Sequence, residues 1–306
     1  MRSDILKVFD KARSFVYRNA RPLDLVLWQY YFENGSATRV YDILGIYQNA
    51  DGGFGHALEP DCWNRNSTPV ATWYATTILE AIGVDTDSEI VRGILRYLDS
   101  GKDFADGKWY NTVKSNNDYP HAVWWECQNG DGAADDNPTV ALSGFIVKYA
   151  DKNSALYKKG ADIAGIAAKN FISHPTDEMH TLRNYVALYN YCASITGFSL
   201  FDIGKYKEVL FDAVSRSVCK DKNKWLTEYV CKPSFYFDLS CLIFDIVGRD
   251  LCKSEAEMLM QNQLEDGSYA ITWLWHNDYT EFYVAANWWK SKMLCDNMLY
   301  IKALEG

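Results

Sequence analysis

His56, Glu59 and Asp61 lie close together in the stretch "GHALEPD". Their types supply a base, an acid and potential metal ligands on one short segment. Pro60 stiffens the segment and disfavours helix at Glu59, so two carboxylates are held in fixed, divergent directions. A structural role is open for the same residues, because Glu59 and Asp61 can cap helix ends or pair with the nearby Arg65. Three such side chains on one loop are common by chance. No metal site is assigned to them, nor to His174 and His180 of "HPTDEMH".

Two further clusters mix tryptophan with carboxylate and histidine. "YPHAVWWECQ" carries Trp124, Trp125 and Glu126, and "WLWHNDYTEFY" carries Trp275, His276, Asp278 and Glu281. Such mixtures suit a cavity wall that stacks on a ligand and bonds its polar groups. Packing between helices is the alternative use of the same rings. We take His56, Glu59 and Asp61 as the candidate catalytic group and the seven residues of these clusters as candidate substrate contacts. No residue pattern names a cofactor: there is no phosphate loop, serine-nucleophile elbow or Cys-His signature.

The totals bound the partners. The chain has 306 residues and a net charge of -9, with no long basic run, which disfavours nucleic acid. Its eight cysteines are scattered, without CxxC pairs, and read as reduced thiols of a cytoplasmic protein. The first residues carry charges throughout and lack an apolar signal core, and no apolar run approaches the roughly 20 residues of a membrane span. A small-molecule substrate is the expected partner.

Helical periodicity dominates the elements that must position these residues. "DILKVFDKARSFVY", "TPVATWYATTILEAIG" and "NPTVALSGFIVKYA" are three of about a dozen predicted helices, joined by short polar turns. "SFYFDLSCLIFDIVG" is predicted as another, while "GKWYNTV" and "GSYAITWLW" read as short extended pieces. No linker interrupts the chain, and residues 1–306 are read as one domain.

The stretch leading into "GHALEPD" recurs. Gln48-Asn-Ala-Asp51-Gly52-Gly53-Phe54 is matched by Gln128-Asn-Gly-Asp131-Gly132 and by Gln263-Leu-Glu-Asp266-Gly267-Ser268-Tyr269, with a weaker echo in Asp106-Gly107-Lys108-Trp109. The pattern is a helix end, a glutamine, an Asp-Gly turn with glycine at positive φ, and an aromatic that tucks back. "NSTPVATW" and "DDNPTVAL" repeat the start of the next helix. The three glutamines are spaced at about two and three times a unit of roughly 40 to 45 residues, a plausible helical-hairpin repeat.

This degenerate signature resembles the terpenoid cyclase and protein prenyltransferase superfamily, and "QNADGGFGHALEPD" is similar to small bacterial proteins related to squalene cyclases and prenyltransferases. The resemblance implies an all-α fold, an α/α toroid of about six helical hairpins with inner and outer helices around a central cavity, and makes the Gln and aromatic residues structural. The catalytic motifs are not carried over. "DGAADDN" lacks the spacing of the Asp-x-Asp-Asp acid, and Asp238-Leu-Ser-Cys241 has one residue too many for the zinc pair. The expected function is therefore an enzyme acting on an isoprenoid or other apolar small molecule in an aromatic-lined cavity. The alternatives are a carbohydrate-active toroid enzyme (hydrolase, epimerase or lyase) with paired carboxylates roughly 5 to 10 Å apart, and a non-catalytic ligand- or peptide-binding module.

Overall fold

Apolar periodicity and a handful of boundary residues decide where the chain becomes helical. In a computed structural model, which describes residues 3–128 and 130–305, the fold is predominantly helical with one small sheet. In chain order the helices begin with α1 (Ser3–Asn19), α2 (Pro22–Phe32), α3 (Ala37–Gly45), α4 (Pro69–Ile82) and α5 (Glu89–Asp99). Strands β1 (Phe104–Ala105), β2 (Lys108–Val113) and β3 (Gly132–Ala134) come next. Then come α6 (Asp136–Tyr149), α7 (Ala155–Ser173), α8 (Met179–Ala193), α9 (Ile203–Ser217), α10 (Leu242–Val247), α11 (Arg249–Gln261) and α12 (Phe282–Glu305). No helix among the described residues is long and apolar enough to cross a membrane.

The caps explain the boundaries that matter for the site. Thr68 caps α4, its Oγ1 accepting from Ala71 N at 3.1 Å, and Pro69 opens the first turn. Gly83 closes α4 in the left-handed region at φ 74°. One predicted helix does not form as a unit. "SFYFDLSCLIFDIVG" splits into a 3₁₀ turn at Pro233–Leu239 and the short α10, divided at Ser240, whose φ is 53°. Of the two extended pieces, "GKWYNTV" becomes β2, whereas "GSYAITWLW" stays irregular.

The chain divides into two compact units, Met1–Leu44 with Val218–Gly306, and Gly45–Ser217. In the first, α12 packs against α1, α2 and α11, around a fully buried Trp28 that contacts Phe9 and Phe32. In the second, α6 lies against α7, α8 and α4, with Leu142, Phe145 and Ile146 wholly buried. The antiparallel sheet has the order β1-β2-β3 and rests on α4 and α6 through β2.

Each unit contains one copy of the glutamine corner. Gln48 Nε2 donates to Gly52 O (2.9 Å) and to Ile90 O of α5 (3.1 Å). Gln263 Nε2 donates to Gly267 O (3.0 Å) and to Val8 O of α1 (2.9 Å). Gly52 and Gly267 sit at φ 95° and 94°, and a Cβ on either would collide with the backbone carbonyl of Gly93 or Lys11. Only glycine satisfies both the dihedral and the contact. The Gln128 copy is different. Gly132 lies in β3 opposite Val113, so Asp131-Gly132 leads into a strand rather than round a helix corner, and Asn129 falls outside the described residues. The weaker echo is the closer counterpart. Phe54 N donates to Thr72 Oγ1 in α4 (3.1 Å), and Trp109 N likewise donates to Thr139 Oγ1 in α6 (2.9 Å).

Candidate functional site

Past Phe54 the chain does not enter α4 directly. Residues 55–67 form a loop that begins with two non-glycine residues in the left-handed region, His56 at φ 56° and Ala57 at φ 59°. Such backbone is strained and persists only where surrounding bonds fix it. They do so here. His56 N donates to Asn64 O (2.8 Å), closing the loop on itself, and Leu58 N donates to Gly55 O (3.1 Å). The turn drives Leu58, Glu59, Pro60 and Asp61 inward, and all four are buried.

A second loop zips onto the first. Trp63 N donates to Pro120 O (2.9 Å) and Ala122 N to Asp61 O (2.8 Å), with Cys62 and His121 bridged between them. Asparagine amides tie the remainder. Asn64 Nδ2 donates to Ser115 Oγ (2.8 Å) and Asn116 Oδ1 (2.9 Å). Asn116 Nδ2 donates to Trp125 O (2.9 Å), and Asn117 brackets Cys127 through both its amide atoms at 2.8 Å. The two loops occupy equivalent positions, one between Phe54 and α4, the other between Trp109 and α6.

Between them lies a narrow cleft whose cavity volume, about 10 Å³, is room for roughly one water molecule. The first loop contributes Glu59, Cys62 and Asn64. The start of α4 contributes Thr68, Val70 and Ala71, and the β2 side contributes Asn111, Asn116 and Trp125. Among the described residues that line it, Glu59 is the single carboxylate and none is cationic. Cys62 is not a ready nucleophile. Burial pushes its thiol pKa up, and the charges of Glu59 and Asp61 push the same way, outweighing a backbone hydrogen bond at Asn64. A wider depression beside the cleft is lined by Asp103, Asp118 and Asp131 with Lys114. Among the described residues no group of three His, Cys, Asp or Glu side chains is placed to hold a metal.

The structure scatters the residues singled out by sequence. Glu59 and Trp125 line the cleft together. Asp61 is buried beside it, with its carbonyl in the zip. His56 is exposed, its Nε2 2.9 Å from Asn49 Oδ1, a bond that steadies the corner rather than the cleft. Trp124 and Glu126 are exposed. The other cluster belongs to the first unit. Trp275 is buried there against Tyr279 and Phe282, His276 and Asp278 are exposed, and Glu281 is half-buried just before α12. His180 opens α8, where burial lowers its pKa. The amides of Asn64, Asn111 and Asn116 carry no mark in the sequence. Scattered asparagines have no periodic signal, and only the cross-loop bridge brings them together.

Compared with models of known families, with curated proteins and with solved structures, the chain matches none.

Proposed function

We propose that the Gly45–Ser217 unit binds a small hydroxylated molecule between these two loops, which must part to admit it, and acts on it by proton transfer through Glu59. The observation that carries this is the placement of one buried carboxylate, held by a strained loop, in a cleft walled by amides and an indole. Amide and hydroxyl groups match ligand hydroxyls, a tryptophan offers a face to a ring, and a positioned carboxylate is a general acid or base. A single carboxylate suits an epimerase or lyase type of reaction better than glycoside hydrolysis, which needs a second one across the sugar. A hydrocarbon chain in the same space would strip water from these polar groups without replacing it, at a cost of roughly 1–3 kcal/mol for each.

The isoprenoid reading has a different support, the glutamine corner found in both units with the same bonds. That is a likeness in how helices are joined, in keeping with the helical-hairpin toroid we infer for the fold, and it does not describe a site. One experiment separates the two. Thermal shift with monosaccharides and cyclitols against farnesyl and geranylgeranyl diphosphate, on the wild type and Glu59→Gln, should show stabilisation by the hydroxylated set, altered in the variant. Stabilisation by the prenyl diphosphates alone would reverse the assignment.

A further inference from the structure

Resting on that reading, we infer that residues 114–127 are a lid that swings as one body, and that a ligand reaches Glu59 when this lid parts from residues 55–67. Three observations carry it. The first is access. Glu59 is buried, and the space beside it, about 10 Å³, holds roughly one water. Nothing the size of a sugar ring enters without movement of one of the two loops. The second is the seam between them, which is polar. It is made by Trp63 N on Pro120 O, Ala122 N on Asp61 O, and the Asn64 amide on Ser115 and Asn116. Water replaces bonds of this kind when a seam opens, so each holds it shut only modestly.

The third is how each loop is anchored. Residues 55–67 are fixed to the corner beneath them. Gly55 N donates to Tyr47 O (3.2 Å), and Asn49 Nδ2 donates to Arg65 O (3.1 Å) and Ser67 Oγ (3.0 Å). The same loop sinks Leu58 wholly into the core. Residues 114–127 are instead stapled to themselves. Asn116 Nδ2 bonds Trp125 O, and Asn117 holds both Cys127 N and Cys127 O, while Lys114 N donates to Asp131 O (3.0 Å) at the neck. The buried residues of this segment are Asn116, His121, Ala122 and Cys127, none with a large apolar side chain, and Val123 and Trp124 face outward. A segment that buries so little apolar surface opens more readily than the core helices, and its internal staples keep its shape as it does. The first loop therefore stays on its corner with Glu59, and the second moves.

Amide hydrogen exchange of the full wild-type chain in rising urea tests the motion without a ligand. Trp63 and Ala122, whose amides cross the seam, should share one opening that urea hardly accelerates. Their protection should be at least tenfold lower than that of Cys127, bonded within the lid, and of His56, bonded within the first loop. If Trp63 and Ala122 exchange only together with the α6 amides, the loops do not part and the lid falls. If Cys127 or His56 opens with them, the one-body swing falls. A lock tests access. Cys62 and His121 are a bridged antiparallel pair with seam bonds on either side, a geometry that sets Cα atoms about 4.5 Å apart, within disulfide reach. In His121→Cys, oxidised glutathione joins the two sulfurs, each losing its proton, and is itself reduced to two glutathione thiols. Glucose, galactose and myo-inositol are the probes. Whichever of them stabilises the wild type should give no thermal shift with the oxidised variant, and dithiothreitol should restore it. An equal shift before and after reduction overturns the lid. If none of the three shifts the wild type, the ligand reading falls, and the exchange data still decide whether the lid exists.

Discussion

The corners at Gln48 and Gln263 can be laid over each other bond for bond. In both, the amide after glutamine donates to the carbonyl of the residue after the left-handed glycine: Asn49 N to Gly53 O at 2.8 Å, and Leu264 N to Ser268 O at 2.9 Å. In both, the aspartate accepts from the amide two residues on, Gly53 N at 3.0 Å and Ser268 N at 2.8 Å. Beyond the corners the two loops behave in opposite ways. The loop after Phe54 buries Glu59 and Asp61 and exposes His56. The loop after Tyr269 buries Trp275 and exposes His276 and Asp278. Burying an indole is favourable through its area alone, whereas burying two carboxylates is costly and needs supporting groups around them. The same joint thus ends in a largely exposed loop anchored by one buried indole in one unit and in a polar cleft in the other.

The equivalence is tested most severely at the glycines. Gly52→Ala and Gly267→Ala each place a methyl against backbone and force a left-handed alanine. Each should cost about 3 kcal/mol or more, read from urea unfolding. Hydrogen exchange should show the loss of protection centred on α5 in the first variant and on α1 in the second. Equal, diffuse effects would break the comparison. Gln48→Ala and Gln263→Ala come next. Each leaves a carbonyl of the corner and one of the neighbouring helix without this donor, and each should cost about 1–3 kcal/mol. A difference between the two of more than about 1 kcal/mol would show that the corners carry unequal loads.

The aspartates give a smaller, pH-dependent effect. Burial acts to raise Asp51, but Ser67, the Gly53 amide and Lys102 outweigh it, and its pKa lies below the ordinary value. At Asp266 burial is likewise outweighed, by the Ser268 amide and hydroxyl. A carboxylate depressed on folding stabilises the fold above its unfolded pKa of about 3.9, and that contribution is lost as pH falls through the depressed value. Both groups are exposed, so Asp51→Asn and Asp266→Asn should each cost under about 1 kcal/mol at neutral pH. Each variant should converge with the wild type in acid unfolding once the pH is below the depressed value. The smallest expected change sharpens the contrast. Ala57→Gly relieves a left-handed alanine and should be neutral or stabilising by up to about 1 kcal/mol. If the strain holds Glu59 in place, the same variant weakens binding of whichever hydroxylated probe stabilises the wild type.

The helices and the Asp-Gly corner were legible because both rest on local physics: apolar period, caps, and a dihedral that glycine alone tolerates. The Gln128 copy misled because the residues were matched by glutamine, while the chain there forms β3. The shared element between the 54 and 109 positions is an aromatic whose amide bonds a threonine in the next helix, and the two threonines lie far along the sequence. Within the candidate site, Glu59 stood out beside a proline on a glycine-rich loop. Asn64, Asn111 and Asn116 did not, since the pairing of Cys62 with His121 that gathers them is a long-range event without a turn signature. "SFYFDLSCLIFDIVG" misled in another way, because its apolar spacing continues across Ser240, where the backbone turns over.

Gln263 reaches back to Val8, 255 positions earlier in the chain. A ribosome releases the chain from its N-terminus onward, so α1 emerges long before the corner that clasps it is made. Until residue 263 appears, Val8 O lacks the Gln263 donor. The intervening unit, Gly45–Ser217, is contiguous and has its own corner partner within reach, and it is free to fold during that wait. Nascent chains halted before and after this corner has left the exit tunnel should therefore differ in protease resistance at α1, while Gly45–Ser217 resists equally in both.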